Sequence, residues 1–475
     1  MLDKSIKEIN ELLKSKKIKP IDLVLEAFDN IENNKDLNAY ITLNKEEAIK
    51  KAKELENKEV DNILFGLPIA IKDNIVTKNL KTTCASHILD NFIPIYDATV
   101  VEKLKEKNMI IIGKTNMDEF AVGSSSRTSY FGAPKNPWNK NKISGGSSGG
   151  SATTIAAKDL LFALGTDTGG SIRQPAAYTG IVGMKPTYGR VSRFGLVAFA
   201  SSLDQIGPMT RNVYENAVLL NAIVGKDPKD LTSSNKEVED FTRLIGKDVS
   251  NMKVAVPNYF MSDIVSDEIK EKVKDTIKLL ESNGVSVDYI DMKYLDKAVT
   301  LYQVIAMGEA SSNLARYDGI RYGNPTDTPK DIEDLYLSTR AEGFGDEVKR
   351  RIMVGSYLLS GDNAKTYYNK ALSIRDDMKK EFSKVFEKYD LIIGPTTTTT
   401  AYNLDENMDD PLKSFMDDVL VIPVNMAGLP AISIPVGLSS DKMPVGLHII
   451  GNSFDEATIY KLASFIEKKV GDINE

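Results

Sequence analysis

Apolar positions in the first 60 residues recur at helical spacing. Ile9, Leu12 and Leu13 follow Ser5-Ile-Lys-Glu8, a Ser-x-x-Glu pattern in which each side chain can satisfy a backbone N–H at a helix start. Pro20 suits the first turn of a second helix, with Leu23, Val24, Ala27, Phe28 and Ile31 on one face. A lysine- and glutamate-rich stretch over 44–58 predicts a third helix. From Phe65 the texture changes. Short apolar runs at Gly66–Ile71, Met109–Ile112 and 160–167 alternate with helical periodicity, as over 98–107. A run that is apolar at every position marks a strand buried on both faces. The alternation therefore predicts an α/β domain whose mixed, largely parallel central sheet is covered by helices on both faces.

The stretch from about 230 to 390 is more charged and more helical, and Asp267–Asn283 has one apolar face. Apolar strands return at 390–395, 431–437 and 444–451, and a helix over 454–469 follows. Because strand-rich sequence lies on both sides of the helical stretch, one large domain is expected over 1–475. Its parts are N-terminal helices (1–60), a core (about 60–230), a helix-rich elaboration (about 230–390) and a return to the core sheet (about 390–475).

Composition narrows the chemistry. Hydrophobic residues at 42% and charged residues at 27% are those of an ordinary globular protein, and the net charge of −7 does not favour a surface built to grip phosphates. One cysteine, Cys84, excludes an internal disulfide and fits a reducing compartment. No 18-residue apolar run and no secretory signal pattern is present, so a cytoplasmic protein without a membrane span is expected. With only His87 and His448 beside that cysteine, a Cys/His metal site is not expected. His448, within the apolar run VGLHIIG, reads as a core histidine rather than a base.

Two motif matches fail on inspection. Gly113-Lys114-Thr115 follows a strand-like run as a phosphate-binding loop would, but Asn108 stands where that loop needs its first glycine. Gly145-Gly146-Ser147-Ser148-Gly149 matches the G-x-S-x-G nucleophile elbow, yet only His448 lies downstream to complete that triad. A flexible linker is a third reading of this tract, but it lies between a Pro-Trp segment and a buried strand.

The larger unit is more informative: GLPIAIKDN at 66–74, KISGGSSGGSA at 142–152 and GTDTGGSIRQPA at 165–176. A serine hydroxyl needs a base, and a lysine can be one if burial removes its proton. These segments, with 75 residues from Lys72 to Ser147 and 24 from Ser147 to Ser171, resemble the amidase signature family. The resemblance covers essentially the whole chain. It implies Lys72 as base, Ser147 as proton relay with a cis peptide at that serine, and Ser171 as nucleophile. Thr168, Gly169 and Gly170 would direct backbone N–H groups at the oxyanion. Asp167 and Arg173 read as braces of this loop.

GEASSNLARYDGIRYG (308–323), GFGDEVKRRIMVGSY (343–357) and VIPVNMAGLPAISIPVG (421–437) are most similar to the ammonia-supplying branch of that family, which serves tRNA-dependent amidotransferases. On that resemblance Tyr302, Arg351 and Asp418 match the positions that hold free glutamine, with Arg350 and Asp417 as adjacent alternatives. An arginine suits an α-carboxylate and an aspartate an α-ammonium. The same resemblance implies amidotransferase subunits B and C as partners, with ATP, magnesium and most tRNA contacts on the partner side and no cofactor on this chain. A free-standing amidase for a small or aromatic amide, and a binding scaffold without catalysis, are the alternatives.

Overall fold

The structure, a computed structural model, describes residues 1–406, 416–471 and 473. The N-terminal pattern folds as expected. Ser5 Oγ accepts the Glu8 N–H and Glu8 Oε2 accepts the Ser5 N–H at the start of Ile6–Lys14. Pro20 opens Pro20–Asn33, which buries Leu23, Val24, Ala27, Phe28 and Ile31.

The strands are β1 (Tyr40–Leu43), β2 (Pro68–Lys72), β3 (Ile110–Thr115), β4 (Lys135–Asn136), β5 (Asn139–Ile143), β6 (Phe162–Asp167), β7 (Val182–Lys185), β8 (Gln205–Thr210), β9 (Lys253–Pro257), β10 (Ser286–Ile290), β11 (Leu391–Pro395), β12 (Ala431–Leu438) and β13 (Pro444–Gly451). Apart from the β4–β5 pair they form one eleven-stranded sheet in the order β1-β3-β2-β6-β8-β7-β12-β13-β11-β9-β10. Every residue of β2, β3, β6, β8, β11 and β13 is buried, so both faces of the sheet are covered there.

The sheet is mixed. Parallel pairing is confined to two flanks, β3-β2-β6 and β11-β9-β10, and the pairs from β6 through to β11 are antiparallel. Continuous apolar runs report burial on both faces, which does not fix strand direction. The stretch expected as a helix-rich elaboration also supplies β9 and β10 to the sheet, and the N-terminal helical region supplies β1. No helix among the described residues is long and apolar enough to cross a membrane.

Two short helices bring the glycine-rich segments to the sheet. Gly149–Ala156 packs on β6, and Arg173–Thr179 packs on β7, β12 and β13. The serine-bearing loops precede these helices.

Candidate active site

Lys72 ends β2, between β3 and β6, and is fully buried. Its Nζ lies 2.7 Å from Ser147 Oγ, 2.8 Å from Ser148 Oγ and 2.9 Å from Thr166 Oγ1. Burial pushes the lysine pKa down from 10.5 to about 7, against the opposing pull of Asp118, Asp167 and Asp204. A free amine has two N–H groups and one lone pair. Ser148 Oγ donates its hydrogen to the Thr166 carbonyl at 3.1 Å, so it accepts from Lys72. Thr166 Oγ1 accepts from Asn74 Nδ2 at 3.0 Å and from Lys72. With both amine hydrogens placed, the lone pair is directed at the Ser147 hydroxyl.

The Gly146–Ser147 peptide is cis. Asp118 N–H donates to the Ser147 carbonyl at 3.3 Å, and Gly146 N–H donates to Gln174 Oε1 at 3.0 Å. Only glycine fits at 146, since a Cβ there would stand 2.1 Å from Asp118 Oδ2 and 2.6 Å from the Ser125 nitrogen.

Ser171 follows β6 across the loop Thr168-Gly169-Gly170. Its carbonyl accepts the Ser148 N–H at 3.2 Å, which ties the two serine loops together. Asp167 clamps the chain on both sides of Ser171: Oδ1 accepts the Gly170 N–H at 2.8 Å and Oδ2 the Ile172 N–H at 3.2 Å. Arg173 grips the same carboxylate through Nε at 2.9 Å and Nη2 at 3.0 Å, and Asn425 Nδ2 donates to Oδ1 at 2.7 Å. Burial alone would raise the Asp167 pKa, but the adjacent guanidinium holds it well below the usual carboxylate range. Gly170 therefore departs from the expected set of oxyanion donors, because its N–H is already bonded to Asp167. Thr168 is held differently: its hydroxyl donates to Asp204 Oδ1 at 2.7 Å, and Asp204 Oδ2 also accepts the Phe199 N–H at 2.9 Å.

Tyr302, Arg351 and Asp418 come from three distant segments. A Cβ on Gly169 would meet Tyr302 Cζ at 2.7 Å, and one on Gly170 would meet Asp418 Oδ1 at 2.8 Å, so both side chains face the loop before Ser171. Arg351 is buried on the helix Asp346–Leu359 with its guanidinium 5.9 Å from the Phe199 ring centre. The charges of Arg351 and Asp418 both act on the buried Tyr302 hydroxyl, whose pKa burial raises. Of the adjacent alternatives, Arg350 leaves its side chain 37% exposed and forks onto Glu347 at 2.8 and 2.7 Å. Asp417 lies beside the Tyr402 hydroxyl and lines a surface cavity with Thr398–Tyr402. Asp418 Oδ1 has no hydrogen-bond partner among the described residues. Burial first, then Asp417 and Asp167, push the Asp418 pKa well above the usual carboxylate value, which a cationic ligand group would reverse.

The histidines stand outside this chemistry. His448 is buried in β13 and its Nε2 faces Arg173 Nη1 at 2.9 Å, so that nitrogen accepts and the proton sits on Nδ1. Burial and the guanidinium push its pKa well below 6.5. Nδ1 has no partner among the described residues, so the core-histidine reading holds at one nitrogen only. His87 lies 3.7 Å from Asp90 with its ring 5.0 Å from that of Tyr130. Lys114 donates to the Ile75 carbonyl at 2.6 Å and to Thr82 Oγ1 at 2.8 Å, a structural role. Residues that sequence reasoning passed over are Ser148, Thr166 and Asn74 around the lysine, and Asp204 and Asn425 around the loop. Ser148 at least stood within the glycine-serine tract. The others carry no local pattern.

A buried lysine joined to a serine, with a second serine on a braced glycine loop and no histidine base, defines a lysine-assisted serine hydrolase. Residues 22–460 match the Amidase family profile, and the chain belongs to that family. It is 53% identical over 468 residues to the A subunit of glutamyl-tRNA(Gln) amidotransferase from Pediococcus pentosaceus, spanning 98% of this chain and 96% of that protein. Similarity to the same protein of Listeria monocytogenes is 53% over 472 residues, covering 99% and 98%. Among solved structures, its counterpart from Thermotoga maritima superposes with a TM-score of 0.83 at 40% identity, covering 98% of this chain and 95% of the other. A bacterial aryl acylamidase superposes with a TM-score of 0.85 at 25% identity, covering 98% and 96%.

Proposed function

We propose that this chain is the glutamine-hydrolysing amidase subunit of a tRNA-dependent amidotransferase. It splits glutamine through an ester on Ser171 and supplies ammonia to a partner, where Glu-tRNA(Gln) is converted to Gln-tRNA(Gln). The observation that carries this reading is that Tyr302 and Asp418 border the loop that leads to Ser171, with the buried Arg351 in electrostatic reach of the same tyrosine. Arg351 suits the α-carboxylate of an amino acid, Asp418 suits its α-ammonium, and Tyr302 lines the space between them. The side-chain amide then lies towards Ser171.

In the reaction Lys72 takes the Ser147 proton while Ser147 takes that of Ser171, and Ser171 Oγ attacks the amide carbon. Backbone N–H groups of Thr168 and Gly169 face the developing oxyanion. The proton returns through Ser147 to the leaving nitrogen, the C–N bond breaks and ammonia departs. Water then attacks the γ-glutamyl ester by the same relay and releases glutamate, restoring Ser171. The chain works in a cytoplasmic heterotrimer with amidotransferase subunits B and C. ATP and magnesium act on the larger of these two partners, which also carries most of the tRNA contact. The net charge of −7 suits a protein that leaves the RNA to its partner.

Ammonia release from glutamine, measured for this chain alone and with subunits B and C, tests the reading. Release that requires Ser171, and that becomes Gln-tRNA(Gln) when ATP and Glu-tRNA(Gln) are added, is the expected result. Turnover of small or aromatic amides with none of glutamine would instead identify a free-standing amidase.

A further inference from the structure

Asp118 and Glu119 are consecutive carboxylates that face different parts of the site. Asp118 packs against Gly146 in the Ser147 loop. Glu119 turns the other way: both its oxygens accept the Gly345 N–H, at 3.1 and 2.9 Å, and Oε1 also accepts the Ser86 hydroxyl. Gly345 is the N-cap of the helix Asp346–Leu359, which has no side-chain cap of its own. A Cβ at 345 would stand 2.5 Å from Glu119 Oε2, so the glycine lets the carboxylate reach the backbone. The first turn so fixed contains Glu347, whose Oε1 accepts Arg351 Nε at 2.7 Å. Further along, the same helix is held independently, with Gly355 against the Met307 backbone and Ser356 Oγ 2.8 Å from Ser311 Oγ.

We infer that Glu119 is a positioning residue for substrate capture, fixing the first turn of the Asp346–Leu359 helix and, through Glu347, the direction of the Arg351 guanidinium. This rests on the pocket reading given above. It makes the strand-to-loop segment behind Ser147 the common anchor of the reacting serines and the carboxylate-binding arginine. Substrate affinity is then tied to the same segment that positions the chemistry, although Glu119 touches neither substrate nor the reacting Ser147 and Ser171.

KM and kcat for ammonia release from glutamine, measured in the complex with its partners, test this. The variants are Glu119→Ala, Glu119→Gln, Glu347→Ala and Arg351→Ala. Glu119→Ala removes the cap and is expected to raise KM about tenfold with kcat within about threefold of wild type. Glu119→Gln keeps an oxygen for the Gly345 N–H while its amide N–H donates to Ser86 Oγ, whose own hydrogen reaches the Gly343 carbonyl at 3.2 Å, and it is expected to stay within about threefold of wild type in KM. Glu347→Ala cuts the next link of the same chain, the 2.7 Å bond from Arg351 Nε, and adds no atom near Glu119. It is expected to match Glu119→Ala, and it keeps the test available if Glu119→Ala does not fold. Unchanged KM in either of those two variants overturns the inference. So does an equal loss in kcat and kcat/KM that Glu119→Gln does not restore, which marks a merely structural carboxylate. Arg351→Ala separates the two levels: if it leaves KM unchanged, the pocket reading itself fails, whereas a raised KM there beside an unmoved Glu119→Ala rejects only the positioning role.

Discussion

A lysine acts as a base only where its free amine is populated, and the surroundings of Lys72 arrange that with dipoles rather than a paired charge. Hydroxyls of Ser147, Ser148 and Thr166 replace water within 2.9 Å, while burial penalises the ammonium and brings the pKa to about 7. Below that value the lone pair is protonated and cannot accept from Ser147. The glutamine kcat/KM is therefore expected to rise as pH passes upward through about 7 and to level off above it, which a pH–rate profile measures. Lys72→Arg stays protonated and should lose about 10²–10⁴-fold in rate while still folding. An arginine variant with wild-type turnover would sink the base assignment. Ser148 gives a finer test, because it holds one of the two amine hydrogens. Ser148→Ala should lower kcat by roughly 2- to 12-fold, the worth of one hydrogen bond, with little change in KM. Single-turnover measurement of ester formation on Ser171 reads that step directly.

At the scale of elements, the strand β6, the loop after it and the helix Arg173–Thr179 form one unit whose shape depends on the Asp167–Arg173 pair. The carboxylate fixes the N–H groups on both sides of Ser171, and the guanidinium also bonds the Val421 carbonyl at 3.1 Å and His448. Arg173→Met would leave Asp167 buried without its counter-charge, a loss of about 3–5 kcal/mol in unfolding free energy. The sign of its pH dependence follows. In the wild type the pKa of Asp167 is lowered, so its contribution is fully present above the unfolded value near 3.9. Without the arginine, burial raises that pKa, and stability is lost as pH rises through it. The deficit of the variant should therefore be larger at pH 8 than at pH 5, as denaturant titrations at the two values would show. A deficit that shrinks with rising pH contradicts this account of the loop. The bracing role was legible from the position of Asp167 and Arg173 in GTDTGGSIR, but Asn425 and Asp204 were not, since folding alone brings them to the loop.

Across the whole molecule, legibility follows unbroken apolar runs rather than burial alone: β7 and β8 are buried throughout, but Gly183 and Lys185 in one and Gln205, Gly207 and Pro208 in the other break the pattern, and neither was read as a strand. The buried strands β6, β11 and β13 do carry such runs. The two strands at the ends of the sheet do not: β1 and β10 have only exposed and half-buried positions, so neither carries a run to read. The serine loops were readable because their residues are close in sequence. The pocket proposed around them rests on resemblance alone at the level of sequence, because Tyr302, Arg351 and Asp418 arrive from three separate elements and no spacing links them.

On the function proposed above, that assembly also decides substrate choice. Asp418 lies 2.8 Å from where a Cβ of Gly170 would be, with Oδ1 unpartnered among the described residues and its pKa raised by burial and by Asp417. A ligand ammonium would return it to the ionised form and bind at the same time, whereas a neutral amide offers no such gain. Arg351 would do the complementary work for a carboxylate. Leaving one ligand charge unpaired in a closed pocket costs about 2–5 kcal/mol, or about 30-fold to several-thousand-fold in apparent affinity. Arg351→Ala and Asp418→Ala are each expected to raise the glutamine KM by that order. Attack on any small neutral amide the enzyme accepts should be far less affected, because Ser171, Ser147 and Lys72 are untouched. Both activities are measured on one preparation, which controls for folding. Equal loss on the two substrates would make these residues structural and return the chain to a general amidase.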